Sequence, residues 1–219
     1  MQEEIVGFLI FCIVIATVVA GIALLLHSAQ RCSRAALVKL GFRQLPASSA
    51  KTMDFSVILH WAQQIQLQYV RFFTRTDPGG VTFYLATMRA IAPKGLASGG
   101  CLESVLGIKI DRGDLPGVAV YQSDLAKFFN TGYRGGTIIK TGSVHFDDAF
   151  FIASMSDADT SFLHDPKILE ALLALRDSAL CIGGKWIMAM RPGKQMEPAD
   201  VEQHMRLLLF IRDSLAKRS

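Results

Sequence analysis

The chain has 219 residues, 51% of them hydrophobic and 19% charged, with a formal net charge of +4. That composition excludes a disordered chain, and four scattered cysteines exclude a disulfide-built secreted scaffold. The surplus charge is local: five of the 23 basic residues lie between Arg31 and Lys51 with no acid among them, and from Thr52 onward 18 basic residues face 17 acidic ones. The bulk of the chain therefore lacks the basic footprint of a nucleic-acid-binding domain.

Residues 1–4 form a short acidic tail, and Ile5 to Leu26 then run for 22 residues without a charge. As a helix this run is about 33 Å long, enough for a hydrocarbon core of roughly 30 Å. It predicts a transmembrane helix, with Ile5, Phe8, Phe11, Ile15, Val19 and Leu26 as the membrane anchor. A cleaved signal peptide fits less well, because the start Met-Gln-Glu-Glu is acidic and the apolar run exceeds the usual core of about 7–15 residues. Cys12, Ala16, Ala20 and Ala23 share one helical face, and small residues at that spacing permit close approach of a second copy, a homodimer through Ala16, Ala20 and Ala23.

Basic residues flank only the far end of the run: Arg31, Arg34, Lys39 and Arg43 are placed to face lipid headgroups. The same bias predicts the tail outside and the domain in the cytoplasm, at a bacterial inner membrane. Cys32 lies next to the span and is either an acylation site or an ordinary interfacial cysteine. Residues 27–51 read as a basic stalk and linker, helical to Leu40 and ended by Gly41.

Residues 52–219 read as one domain. Asp54 to Gln64 suits a short helix. Gln66–Arg75 alternates as a strand, with Leu67, Tyr69, Arg71 and Phe73 on one face; Asp77-Pro-Gly-Gly80 turns it and Val81–Met88 returns. Ala92–Gly100 reads as a loop, Glu103–Ile110 and Gly117–Tyr121 as strands, Ser123–Asn130 as a short helix or turn, and Thr131–Gly136 as a turn. Thr137–Lys140 and Phe150–Met155 are further strands, with His145-Phe-Asp-Asp148 as a strand-edge turn between them. Asp165 caps a helix opened by Pro166, Gly183-Gly184 joins a hairpin, and Pro198 opens a helix to about Lys217. The expected fold class is α+β: one N-terminal transmembrane helix followed by a mainly antiparallel sheet domain packed by helices.

No motif here carries catalysis by itself. His145, Asp147 and Asp148 form the most ligand-like cluster, but no spacing matches a metal site, and neither metal nor cofactor is expected. There is no G-x-S-x-G elbow and no P-loop, and the glycine pairs at Gly79, Gly99, Gly135 and Gly183 fit turns. Cys101 has no assignable partner, and His60 and His204 fall on predicted helices as packing or surface residues.

Gly41-Phe-Arg-Gln-Leu-Pro46, Leu115-Pro116, Val144-His-Phe-Asp-Asp-Ala-Phe150 and Arg191-Pro-Gly193 together resemble the pattern of a loose group of bacterial single-span membrane-anchored proteins without an assigned activity. The strand motif departs from that pattern at Phe150-Phe151. The resemblance implies an anchored domain and transfers no catalytic residue. The expected function is an interaction or sensing module partnered by the bilayer and an unknown protein. A membrane-tethered enzyme built on His145, Asp147 and Asp148 is the alternative.

Overall fold

The computed structural model describes residues 15–21, 33–46, 48–49, 66–91, 102–111, 115–122, 125, 137–155, 160–175, 177–192 and 194–217. The chain divides into two units, Met1–Gly41 and Phe42–Ser219.

In the first unit, residues 15–21 form helix α1 and residues 33–39 helix α2. Gly41 ends α2 as its sequence predicts: its N–H bonds to the Val38 carbonyl at 2.9 Å, and its φ of +83° is the left-handed conformation that favours glycine. The transmembrane expectation is corrected here. Among the described residues no helix is long and apolar enough to cross a membrane. Of the 5–26 run the described part is residues 15–21, which are helical as α1. Residues 5–14 and 22–26 lie outside the described residues, as do Arg31 and Cys32.

Among the described residues the second unit is built on one nine-stranded sheet. Its strands are β1 (Arg43–Leu45), β2 (Gln66–Thr76), β3 (Thr82–Ile91), β4 (Leu102–Lys109), β5 (Leu115–Gln122), β6 (Thr137–Ile139), β7 (Phe150–Ser154), β8 (Ala179–Gly184) and β9 (Trp186–Arg191). They lie in the order β1-β2-β3-β4-β9-β8-β5-β7-β6, and every recorded pairing is antiparallel.

The two hairpins show how sequence sets this register. Asp77 accepts from Val81 N–H through Oδ1 at 2.8 Å, and Gly80 takes φ +80°, closing β2 onto β3. In the second hairpin Gly183 pairs with Trp186, so the two loop residues are Gly184 and Lys185, one position later than the sequence suggests. Gly184 holds φ +55°, which a two-residue hairpin loop requires at its first position. The unbroken alternation expected in β2 fails, because the register shifts between Tyr69 and Arg71. A bulge of this kind inserts one residue in β2 relative to β3.

Four further elements accompany the sheet: α3 (Val144–Ala149), a 3-10 turn (Ser161–His164), α4 (Pro166–Leu173) and the 19-residue α5 (Pro198–Ala216). His145-Phe-Asp-Asp148 is thus helical in α3, not a strand-edge turn. Asp165 caps α4 by accepting from Lys167 N–H at 3.0 Å, with Pro166 in the first turn. Helix α5 opens on a capping box in which Glu197 and Asp200 exchange side-chain and backbone bonds.

Helix α5 lies across β4 and β9 on one face of the sheet. Leu106 and Ile108 of β4, Ile187 and Ala189 of β9 and Leu180 of β8 form that face, and all are buried with Val201, Leu208 and Ile211 of α5. The opposite face is equally apolar: Phe72, Met88, Val105, Cys181, Met188 and Met190 are buried in a single cluster. A sheet buried on both faces reads as continuous apolar strands, as ALCIGG and WIMAMR do, and each large side chain so buried contributes about 1.5–3 kcal/mol. The expected helices and loops at 54–64, 92–100 and 131–136 lie outside the described residues, as does 123–130 apart from the buried Leu125.

Candidate functional site

The predicted cluster on α3 does not converge. His145 and Asp148 are exposed, while Asp147 is half-buried and turned into the preceding loop. Its Oδ1 accepts from the Thr141 backbone N–H at 2.9 Å and from the Thr141 hydroxyl at 3.0 Å, and its Oδ2 accepts from Gly142 N–H at 3.1 Å. Desolvation pushes its carboxyl up, but the bonds from Thr141 and Gly142, with Lys140 nearby, outweigh it and hold the pKa below 3.8. A carboxylate so engaged organises a loop and is a poor general base or metal ligand. His164 donates from Nδ1 to the Thr141 carbonyl at 3.3 Å, tying the 3-10 turn to the same loop. Among the described residues no three His, Cys, Asp or Glu side chains gather as a metal site.

The densest polar constellation lies elsewhere, where β9, α5 and the segment before β8 meet. Arg191 at the end of β9 donates through Nη1 to Asp200 Oδ2, and its Nη2 stands 3.8 Å from Asp177 Oδ2. Lys194 Nζ approaches the same Asp177 oxygen at 2.5 Å. Asp177 adopts φ +57°, and its N–H donates to Gln122 Oε1 at 2.9 Å. Behind this partly exposed cluster lie Ser178 and His204, only 4% and 2% exposed.

The His204 ring is fixed at both nitrogens. Nδ1 lies 2.6 Å from the Asp200 carbonyl, which can only accept, so Nδ1 carries the hydrogen. Nε2 is then the acceptor for the Ser178 hydroxyl at 2.9 Å. Burial, foremost, holds the imidazole below its ordinary 6.5; the Asp200 carbonyl and charge oppose the shift, and Arg191 adds to it. A serine beside a neutral imidazole has the makings of a nucleophile and base. Access decides against that chemistry. Both side chains are buried, and a cavity beside Ser178, lined by Val120, Leu172, Leu175, Leu180 and Leu207, measures about 10 Å³, the scale of one water.

Sequence reasoning missed this pair, although one signal was present. His204 follows Val201 by three and precedes Leu208 by four, placing it on the apolar stripe of α5. Its contact with Asp200, one turn earlier, is made to the backbone carbonyl.

The anchor residues fall in the first unit. Ile15 and Val19 are exposed on α1 together with Val18, at 47%, 59% and 54%, and Ala16 and Ala20 are exposed beside them. Arg34 and Lys39 are exposed on α2, and Arg43 is exposed on the edge strand β1 of the second unit. Ile5, Phe8, Phe11, Ala23, Leu26 and Arg31 lie outside the described residues.

No family description matches the sequence. No curated protein matches it. The fold, however, has a solved counterpart: the crystal structure of the mycobacterial trehalose monomycolate transport factor A, TtfA, aligns with a TM-score of 0.54. The alignment covers 84% of this chain and 93% of that one at 11% identity, so the two share an architecture.

Proposed function

We propose that the chain is a non-enzymatic accessory factor of a membrane process, with the sheet domain serving as an interaction module on the cytoplasmic side of a bacterial inner membrane. The observation that carries this reading is the shared fold with a transport factor across nearly the full length of that protein. The apolar side chains Ile15, Val18 and Val19, exposed on α1, supply lipid contact, and Arg34, Lys39 and Arg43 supply headgroup contact. Its partners in this reading are the bilayer, a membrane protein of the same process and a second copy met through Ala16, Ala20 and Ala23.

The test is made in the organism that carries the chain. Membranes from cells producing a tagged full-length chain are washed with low-salt buffer, which keeps peripherally bound protein in place, and cells are crosslinked in parallel for mass spectrometry. Retention on the washed membranes with reproducible crosslinks to a transport protein is expected. Recovery wholly in the soluble fraction overturns the reading. A reporter fused after Ser219 reports the side of the membrane, and an external signal overturns the orientation.

A further inference from the structure

We infer that Ser178 and His204 form a proton-sensitive latch that fastens the segment before β8 to the first half of α5. Three elements meet there through side-chain hydrogen bonds. The Ser178 hydroxyl donates to His204 Nε2, His204 Nδ1 donates to the Asp200 carbonyl, and Asp200 in turn bonds Arg191 of β9. Alongside, Gln203 Nε2 donates to the Ala174 carbonyl at 3.3 Å, joining the end of α4 to the same half of α5.

Only an unprotonated Nε2 can accept the Ser178 hydrogen. A proton at Nε2 turns that atom into a donor, so the hydroxyl must rotate and the bond must reverse. It also places a positive charge on a side chain that is 2% exposed. The charged groups that face the ring are few. Asp200 on α5 attracts an imidazolium, but its carboxylate already serves Arg191 and the Glu197 N–H. Arg191 on β9 repels it. On β4, Ser104 has its oxygen engaged by Met196 N–H, and His164 of the 3-10 turn is bound to Thr141. Asp177 is held by Lys194 and Arg191 rather than by His204.

The closed latch therefore excludes a proton that the opened latch takes up. The opened form, with the ordinary histidine value of 6.5, gains population as pH falls through that value. Between pH 7.5 and 5.5 the gain approaches about tenfold if the closed form stays neutral throughout. The latch depends on packing inside the domain and stands apart from the proposed membrane role.

Hydrogen exchange of the full-length chain, corrected for the intrinsic pH dependence of exchange, is the test. At pH 5.5 relative to 7.5, protection of amides in 178–180 and 201–205 falls by up to about tenfold more than that of the β2–β3 hairpin. His204→Gln keeps an acceptor for Ser178 but cannot titrate, and it flattens this difference. A uniform loss across the sheet in the wild-type chain overturns the latch, as does a local loss that persists in His204→Gln. Should that variant not fold, the wild-type profile decides: no extra local loss at pH 5.5 overturns the proposal.

Discussion

Asp147 and Thr141 are joined twice, the carboxylate oxygen Oδ1 accepting both the backbone N–H and the hydroxyl of the threonine at 2.9 and 3.0 Å. With the Gly142 bond to Oδ2, one side chain closes the loop between β6 and α3. Gly142 sits at φ +83° within that loop, so the turn relies on a glycine and a carboxylate together.

Asp147→Ala should cost about 0.5–2 kcal/mol in urea unfolding, because two backbone donors and a hydroxyl must exchange a capping carboxylate for water. Asp148→Ala, at an exposed neighbour, should stay within about 0.5 kcal/mol. The folded carboxyl titrates below the 3.8 of the unfolded chain. Its contribution is thus complete above that value and is lost as pH falls through the folded pKa. Equal effects of the two substitutions would return Asp147 to the ranks of ordinary surface acids.

Asp177 holds a left-handed backbone conformation, φ +57°, that β-branched residues resist. Its carboxylate meanwhile serves Lys194 and Arg191. Three substitutions separate the two roles. Asp177→Asn keeps the backbone preference and loses the charge; Asp177→Gly relieves the backbone and loses the side chain. Asp177→Val loses both and should be worst, by about 1–3 kcal/mol relative to Asn. Thermal unfolding midpoints in the order Asn and Gly above Val are expected, and a Val variant as stable as Asn would show that the conformation carries no strain.

Local chemistry made much of the domain readable. Asp165-Pro166 started α4, Asp77-Pro-Gly-Gly80 turned β2 into β3, and Pro198 opened α5, each through a capping or turn preference acting within a few residues. What escaped depends on long-range pairing. The β2 bulge is fixed by β3, and β4 lies beside β9, 80 or so positions away, which no local pattern specifies. The membrane-spanning helix expected from 5–26 is not met among the described residues, which include only 15–21 of that run. The polar cluster was hidden for the same long-range reason, since Ser178, Arg191 and His204 come from three elements and meet only when the sheet and α5 assemble.

Arg191 and Asp200 should be energetically coupled beyond their individual contributions. Asp200 Oδ2 accepts both from Arg191 and from the Glu197 N–H at 2.9 Å, so one oxygen completes the helix cap and neutralises a largely buried guanidinium. Arg191 has one further constraint, an Nε that is buried and without a hydrogen-bond partner. Removing Asp200 leaves that charge with only the longer Asp177 contact at 3.8 Å, and removing Arg191 leaves the capping box in place. Asp200→Ala should therefore cost more than Arg191→Ala discounted for lost packing, and the double variant should recover about 1–3 kcal/mol relative to the sum. Additive costs in a double-mutant cycle by urea unfolding would assign the two residues separate roles.

Cys181 should be chemically silent until the domain opens. It lies on β8 in the cluster opposite α5, at 0% exposure, and burial pushes its thiol up to about 12. The thiolate is the reactive species, and at pH 8 such a thiol is ionised in only about one molecule in ten thousand, against roughly a quarter for an ordinary cysteine. Alkylation with iodoacetamide, read peptide by peptide in mass spectrometry, should label Cys181 at least about a thousandfold more slowly in the native chain than in guanidinium. The residual native rate then measures opening of the β8 region. Labelling of Cys181 at a rate near that of the unfolded chain would mean that the face built by Val105, Met188 and Met190 admits solvent, and the two-sided burial of the sheet would have to be abandoned.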